Sequence, residues 1–548
     1  MKARLHWFPA AVLLILLVLS LLLRCYVAKG RPMSGYRDND DATAHVLATL
    51  VAYQQTPSSI HHYLPLFTYG APTDKWIDDL PTASGFDKYG NLYYTSFPPL
   101  GFIVPHFIFS ALGISPQPFA LRCFSMVLHL IATGLLCLLL QQCLSSSEYG
   151  KNDRWIILAG TASIYLFSFE CLRSYTICYW AHQLYQVILF GTAIAYACCI
   201  SCRPGNKLGF ATSLCFLYLL SLTGCLLEWT AFVTSASICL LSLLRIFIGK
   251  KWRDLWVAAI SIVAVSTALL VLIVWFSSVL DIPDYLTALA TRSHVRNGGG
   301  NYFDKLFVLG MEWVVSLGPF WVLFFLLLSC LKISDLYSGA NQFAHGRFYL
   351  LDKPVGVIGL LLFLTLSENI LLPGHGSLYT FDILKLVGFF AFAMGALCVV
   401  TNFNPTRFLI LCSAASLVSL GMFAERYARS NYPENWTELP LSWQMKFGSL
   451  VRLTSKPDSV AFATTNIRGA EVFYSGRNIF QNIHMCVNGK SIEQFVKNWC
   501  LSHGANVGNV YYVGSTVNPI IWVETVGIHD EIKWRLFDLE KLPVQISE

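Results

Sequence analysis

The sequence predicts a polytopic α-helical membrane protein of about eleven spans, closed by a C-terminal α/β domain outside the membrane. Three observations carry that expectation. Of 548 residues, 55% are hydrophobic and 13% charged, with a mean hydropathy of +0.54, whereas a soluble chain carries about 25% charge. The apolar residues fall in long runs, and about 20 such residues in helix cross a hydrocarbon core of ~30 Å. Beyond about Glu425 the runs shorten to strand length.

The first run, about Leu5 to Leu23, follows Met1-Lys2-Ala3-Arg4 and has no small-x-small cleavage site after it. It reads as an uncleaved signal anchor rather than a removed leader. Further spans fall near 120–141, 155–170, 182–201, 208–226, 230–248, 255–278, 312–331, 354–372, 381–400 and 407–423. With a cytoplasmic N-terminus, the basic residues Lys151, Arg154, Arg203, Lys207, Arg245, Lys250, Lys251, Arg253, Lys332, Arg347, Lys353 and Arg407 all fall in inner loops or at the inner ends of spans, as the positive-inside rule asks. The odd span count then places 25–119, 279–311 and everything after the last span outside.

Segment 98–113 is apolar but interrupted by Pro98, Pro99, Pro105 and His106, so it reads as a helix lying in the outer interface. Ala42 to Gln55 reads as a short juxtamembrane helix with Asp40 or Asp41 as its cap. In the last 120 or so residues, strands are expected over 460–464, 508–513 and 520–523, with a helix over 491–502. Two domains result, a membrane module over 1–424 and an α/β domain over 425–548.

The seventeen cysteines lie mostly inside apolar runs, where they act as small hydrophobes. Cys486 and Cys500 fall in the polar C-terminal region, and their pairing is left open. A net charge of +6 with no domain-sized basic patch excludes nucleic acid as a partner.

Chemistry is foreshadowed by Arg37-Asp38-Asn39-Asp40-Asp41, an acidic cluster shortly after the first span, and by Tyr93-Tyr94-Thr95-Ser96-Phe97-Pro98-Pro99-Leu100 some fifty residues on. An acidic pair just after the first span, followed by an aromatic stretch ending in Pro-Pro-Leu, resembles the GT-C glycosyltransferases. That family includes protein O-mannosyltransferases and lipid A aminoarabinose transferases. The resemblance implies a polyprenyl-phosphate sugar donor, a lipid, glycan or protein acceptor, and a carboxylate of the acidic pair as base. Asp40 and Asp41 stand where that pair belongs, although the pair here is Asp-Asp and Ser96-Phe97 replaces the usual Lys before the prolines. The motifs cover the first 115 residues, and the rest is alike in architecture only.

The same chemistry follows from physical needs. Sugar transfer from a lipid phosphate needs a base for the acceptor proton and cationic help for the leaving phosphate. Asp40 or Asp41 supplies the first, against the plain alternative that each is only a helix cap. For the second, Arg292 and Arg296 stand before Gly298-Gly299-Gly300, and Arg173, Glu228, His375 and Lys385 sit at the outer ends of spans. Ionisable groups at membrane depth are functional candidates; the plain alternatives are a basic loop on lipid headgroups and structural ion pairs. His45, His61, His62 and His375 offer imidazoles, yet no spacing defines a metal site; the cofactor is left unknown, a divalent metal being the candidate. Asn435-Trp436-Thr437 is a lone sequon. The expected location is a bacterial inner membrane with the C-terminal domain in the periplasm. The competing function is a transporter or flippase of lipid-linked sugars, which usually shows repeated halves, and no internal repeat is present.

Overall fold

A computed structural model describes residues 8–31, 33, 40–68, 84–144, 150–203, 205–249, 251–297, 301–330, 351, 353–427, 443–456, 459–464, 469–480, 491–503, 505, 507–513, 520–527 and 533–538. The N-terminal half is a run of helices: α1 (Phe8–Gly30), α2 (Asp40–Gln55), α3 (Ser58–His61), α4 (Leu100–Leu112), α5 (Pro118–Cys143), α6 (Lys151–Phe167), α7 (Phe169–Ile177), α8 (Ala181–Ser201), α9 (Lys207–Cys225), α10 (Thr230–Gly249) and α11 (Asp254–Phe276). A short hairpin, β1 (Ser84–Phe86) with β2 (Leu92–Tyr94), precedes α4. There follow α12 (Ile282–Asn297), α13 (Tyr302–Leu317), α14 (Phe320–Ser329), α15 (Pro354–Thr365), α16 (Ser367–Leu371), α17 (Pro373–Leu378), a 3₁₀ turn at Thr380–Ile383, α18 (Leu384–Val400) and α19 (Pro405–Tyr427). The C-terminal part holds α20 (Trp443–Thr454), β3 (Ser459–Ala463), α21 (Gly469–Ser475), β4 (Ile479–Phe480), α22 (Ile492–His503), β5 (Val507–Val513), β6 (Ile520–Gly527) and β7 (Lys533–Asp538).

Among the described residues, nine helices are long and apolar enough to cross a membrane, or eleven if each of two bent pairs is one span. The expected spans at 155–170 and 312–331 are those two pairs. Helices α6 and α7 meet at 56°, broken at Ser168, whose backbone is extended. The break frees carbonyls in the last turn of α6, and buried carbonyls need donors. Arg24 donates to the Leu166 carbonyl (2.7 Å) and to His129 Nδ1 (2.8 Å), and His129 Nε2 in turn donates to the Tyr165 carbonyl (3.2 Å). Arg122, fully buried, caps the end of α7 through the Ile177 carbonyl (2.7 Å) and also reaches the Ala28 carbonyl (3.2 Å). Guanidinium groups at helix C-termini also meet the negative end of the helix dipole. The second pair, α13 and α14, bends by 92° at Gly318, whose φ of +54° suits glycine.

The chain forms two compact units. One comprises Met1–Lys29, Arg122–Leu272 and His294–Ser430, and the other Gly30–Leu121, Ile273–Ser293 and Asn431–Glu548. The second unit thus gathers the first long loop with the C-terminal region, where the sequence had suggested a single cut near residue 424.

In the second unit the sheet order is β4-β3-β5-β6-β7, with β3 parallel to both β4 and β5 and the remaining pairs antiparallel. Side chains alternate across a strand, and β3 shows it: Ala461 and Ala463 pack with Trp443, Phe447 and Leu450 of α20, while Val460 and Phe462 pack with Val496 and Trp499 of α22. Cys500 is buried in the latter cluster; Cys486 and the sequon at Asn435 lie outside the described residues. Two expectations are refined here. The strand over 460–464 is Ser459–Ala463, and the loop 279–311 is largely helical, since α12 fills its first part and α13 begins at Tyr302.

Candidate functional site

Four of the residues singled out from sequence, Glu228, His375, Lys385 and Arg173, lie in the first unit, and the first three belong to one buried cluster. Its construction begins at α8. The Trp180 N–H donates to Gln183 Oε1 (2.9 Å), a capping arrangement that starts the helix. Gln183 Nε2 donates to the Ser174 carbonyl (3.2 Å), tying α8 to α7. His182, in the first turn, is thereby held with Nδ1 at 3.4 Å from Glu228 Oε2 and Nε2 at 3.7 Å from Asp382 Oδ1. Glu228 sits in the turn between α9 and α10, its N–H bonded to the Gly224 carbonyl at 2.8 Å.

The loop from Glu368 to Lys385 supplies the rest. Lys385 Nζ lies 2.7 Å from Glu368 Oε2, 2.8 Å from Asp382 Oδ1 and 3.3 Å from Thr230 Oγ1, and the Thr230 hydroxyl also donates to Glu368. Asp382 Oδ2 receives Asn369 Nδ2 (3.3 Å) and faces His375 Nδ1 (3.3 Å). Helix α17 can approach this closely because residue 376 is glycine: a Cβ there would stand 2.9 Å from Asn369 Nδ2 and 3.0 Å from Leu309. All of these polar side chains are buried. Charges removed from water must be paired and hydrogen-bonded, or they destabilise. Here three carboxylates face one ammonium and two imidazoles.

Arg173 is held inside α7 by Glu170, with Nε 3.1 Å from Oε2, and the Ser174 hydroxyl donates to the same carboxylate. It is a buried ion pair one helix away from the cluster. Sequence reasoning missed His182, and in the polar loop from Glu368 to Asp382 it singled out His375 but not the carboxylates of Glu368 and Asp382. The available signal was an ionisable residue at the end of an apolar run, and each of the three carries it.

Asp40 and Asp41 lie in the second unit, where α2 begins at Asp40, two residues earlier than expected, so both stand in its first turn and not before it; the Asp40 side chain is outside the described part, and Asp41 is half-buried. One turn on, His45 lies against Phe67 (ring centroids 4.7 Å) and stacks on Tyr94 (6.4 Å) of the aromatic motif. Pro98 and Pro99 of that motif are buried, and Pro99 precedes the first turn of α4. His61 is a structural imidazole: Nδ1 accepts from the Tyr63 N–H (2.9 Å) and Nε2 donates to the Thr56 carbonyl (3.1 Å). Burial pushes its pKa down to about 4, the Thr56 contact opposing this. Arg292 and Arg296 fall on α12, but their side chains, like Gly298–Gly300, lie outside the described residues. Among the described residues no three His, Cys, Asp or Glu side chains are arranged to hold a metal.

No protein-family model matches the chain, and no curated protein does. Solved structures do. The crystal structure of ArnT from Cupriavidus metallidurans in the apo state is similar with a TM-score of 0.57 at 9% identity, over 93% of each chain. The same protein bound to undecaprenyl phosphate gives 0.55 at 8% identity, over 91% of this chain and 92% of that one. The oligosaccharyltransferase AglB from Archaeoglobus fulgidus, in complex with an inhibitory peptide and a dolichol-phosphate, gives 0.47 at 11% identity, over 92% of this chain and 69% of that one. ArnT is a lipid A aminoarabinose transferase of GT-C fold. At this identity the likeness is one of architecture, and over nearly the whole length of both chains it shows that this polytopic membrane protein has the GT-C fold.

Proposed function

We propose that the protein is a membrane glycosyltransferase that moves a sugar from a polyprenyl-phosphate donor to a lipid, glycan or protein acceptor. The observation that carries this reading is the fold shared with ArnT along nearly the whole chain, one of whose structures holds undecaprenyl phosphate. The acidic pair Asp40-Asp41 at the head of α2 and the buried charged cluster of the first unit support it. The acceptor hydroxyl attacks the anomeric carbon, the carbon–oxygen bond to phosphate breaks, and the polyprenyl phosphate leaves with the electron pair. The acceptor proton passes to Asp40, or to Asp41 where Asp40 orients it. Arg292, Arg296, His375 and Lys385 are the cationic candidates for the phosphate, Arg173 and Glu228 being the further substrate-binding candidates from the sequence. The reading places the protein in a bacterial inner membrane with its C-terminal domain in the periplasm.

The test is transfer from a lipid-phosphate sugar in membranes at matched protein level. Asp40→Asn removes the charge and the basic site while keeping size, and loss of a general base costs about 100- to 10,000-fold in rate. Asp41→Asn is milder. Inactivity of Asp41→Asn alone moves the base by one residue. Full activity in both variants and in the double variant overturns the carboxylate mechanism, and energy-dependent movement of intact lipid-linked sugar without transfer identifies a flippase instead.

A further inference from the structure

Helix α2 offers little of its first two turns to its surroundings. Ala42, Thr43, Ala44, Val46 and Leu47 are buried, whereas Asp41 and His45 are half-buried. Residues four apart are neighbours on a helix surface, so this carboxylate and this imidazole share the more open face. From the C-terminal region, α21 closes on that face. Its first residue is Gly469, and a Cβ there would stand 3.0 Å from His45 Nδ1, 3.3 Å from Cε1 and 3.2 Å from the His45 backbone nitrogen. Glycine is the residue that allows so close an approach of one backbone to another.

The contact is backed on both sides. The His45 ring is flanked by Phe67 (ring centroids 4.7 Å) and Tyr94 (6.4 Å), which limits how far it can swing. Behind α21 stands α20, again at a glycine: a Cβ on Gly448 would meet Tyr474 Cβ at 2.7 Å and the Glu471 carbonyl at 2.8 Å. Helix α20 packs in turn on β3, with Trp443, Phe447 and Leu450 against Ala461 and Ala463. Near the end of α21, the Tyr474 hydroxyl accepts the Met33 N–H (3.0 Å), which ties down the chain ahead of α2. Sheet, α20, α21 and α2 therefore form one stack, and interiors packed this closely transmit strain.

We propose that Gly469 is a positioning residue that seats the C-terminal domain on α2 and so fixes the turn carrying Asp40 and Asp41. The C-terminal domain then belongs to the catalytic machinery and is more than an appendage to the membrane module. This rests on the glycosyltransferase reading for the reaction that the two carboxylates serve. A side chain at residue 469 presses on the His45 backbone as well as its ring, so turning the ring alone does not relieve it. Helix α2 gives way, and the carboxylates move off their line to the acceptor hydroxyl. The loss falls on kcat, because alignment matters most when the proton is transferred.

The experiment compares wild type, Gly469→Ala and Gly469→Val as full chains in detergent, by transfer kinetics with a polyprenyl-phosphate sugar and by amide hydrogen exchange. A misplacement of about 1 Å can cost about 100-fold in rate, so Gly469→Ala loses roughly three- to tenfold in kcat and Gly469→Val more, with donor KM little changed. Exchange quickens over residues 41–49 of α2 and stays as in wild type over α22, which packs on the other face of the sheet. In the background of whichever of Asp40→Asn and Asp41→Asn costs more activity, Gly469→Ala adds little, because the group it displaces has already gone. An unchanged kcat in both variants overturns the proposal, as does a loss confined to KM, a fully additive loss in the Asp→Asn background, or exchange unaltered over 41–49. Where Gly469→Val does not fold, Gly469→Ala decides alone. Loosening confined to α2 in a protein that transfers no sugar would sustain the seating of α2 while sinking the transferase reading.

Discussion

Lys385 shows how a single residue can hold a membrane site together. Its ammonium bridges Glu368 and Asp382, carboxylates from two sides of the α16–α18 loop. Lys385→Met removes the cation and leaves both acids buried without it. Breaking a buried pair in this way costs about 3–5 kcal/mol, read as a large fall in the thermal midpoint of the detergent-solubilised protein. An unchanged midpoint would mean that the acids are protonated or wet. The pairing of Asp382 with Lys385, three residues apart in one turn, is visible in the sequence. That His182 and Glu228 join them is not, because nothing local links a residue at the start of α8 to a turn after α9 and another before α18.

At the scale of elements, composition located nearly every helix but not how the helices close on one another. Gly160 on α6 faces α19: a Cβ at that position would stand 2.5 Å from the Phe408 ring. Small residues at such crossings let membrane helices approach closely. Gly160→Ala raises intrinsic helix propensity, yet overpacking of this kind costs about 1–3 kcal/mol, so the variant should unfold at lower temperature than wild type. A stabilised variant would show that the α6–α19 contact yields freely. The bends at Ser168 and Gly318 belong to the same scale. Hydropathy reads each bent pair as one span because a polar break of one or two residues hardly lowers the mean over twenty. After the break at Ser168, Arg24 and His129 take up the freed carbonyls of Leu166 and Tyr165, and Arg122 takes that of Ile177 at the end of α7.

For the whole molecule, the topology remains a matter of charge distribution. The cluster at Lys250-Lys251-Trp252-Arg253 and the odd number of spans expected from sequence put Lys251 inside and Ser430 outside. A reporter active only outside the cytoplasm should work when fused after Ser430 and stay silent after Lys251; activity at Lys251 inverts every loop. The sequence by itself determined that the chain is a many-span membrane protein with a terminal α/β part and an acidic pair ahead of a Pro-Pro-Leu helix. Those properties reside in local runs, in which hydrophobic transfer and strand alternation act over five to twenty neighbouring residues. Only the tertiary structure decided that Glu228, His375 and Lys385 share one buried cluster with His182, Glu368 and Asp382, and that Arg173 pairs with Glu170 apart from it. Burial in a low-dielectric interior makes each of those charges depend on partners supplied by several helices, and the pairing is settled only when the helices pack.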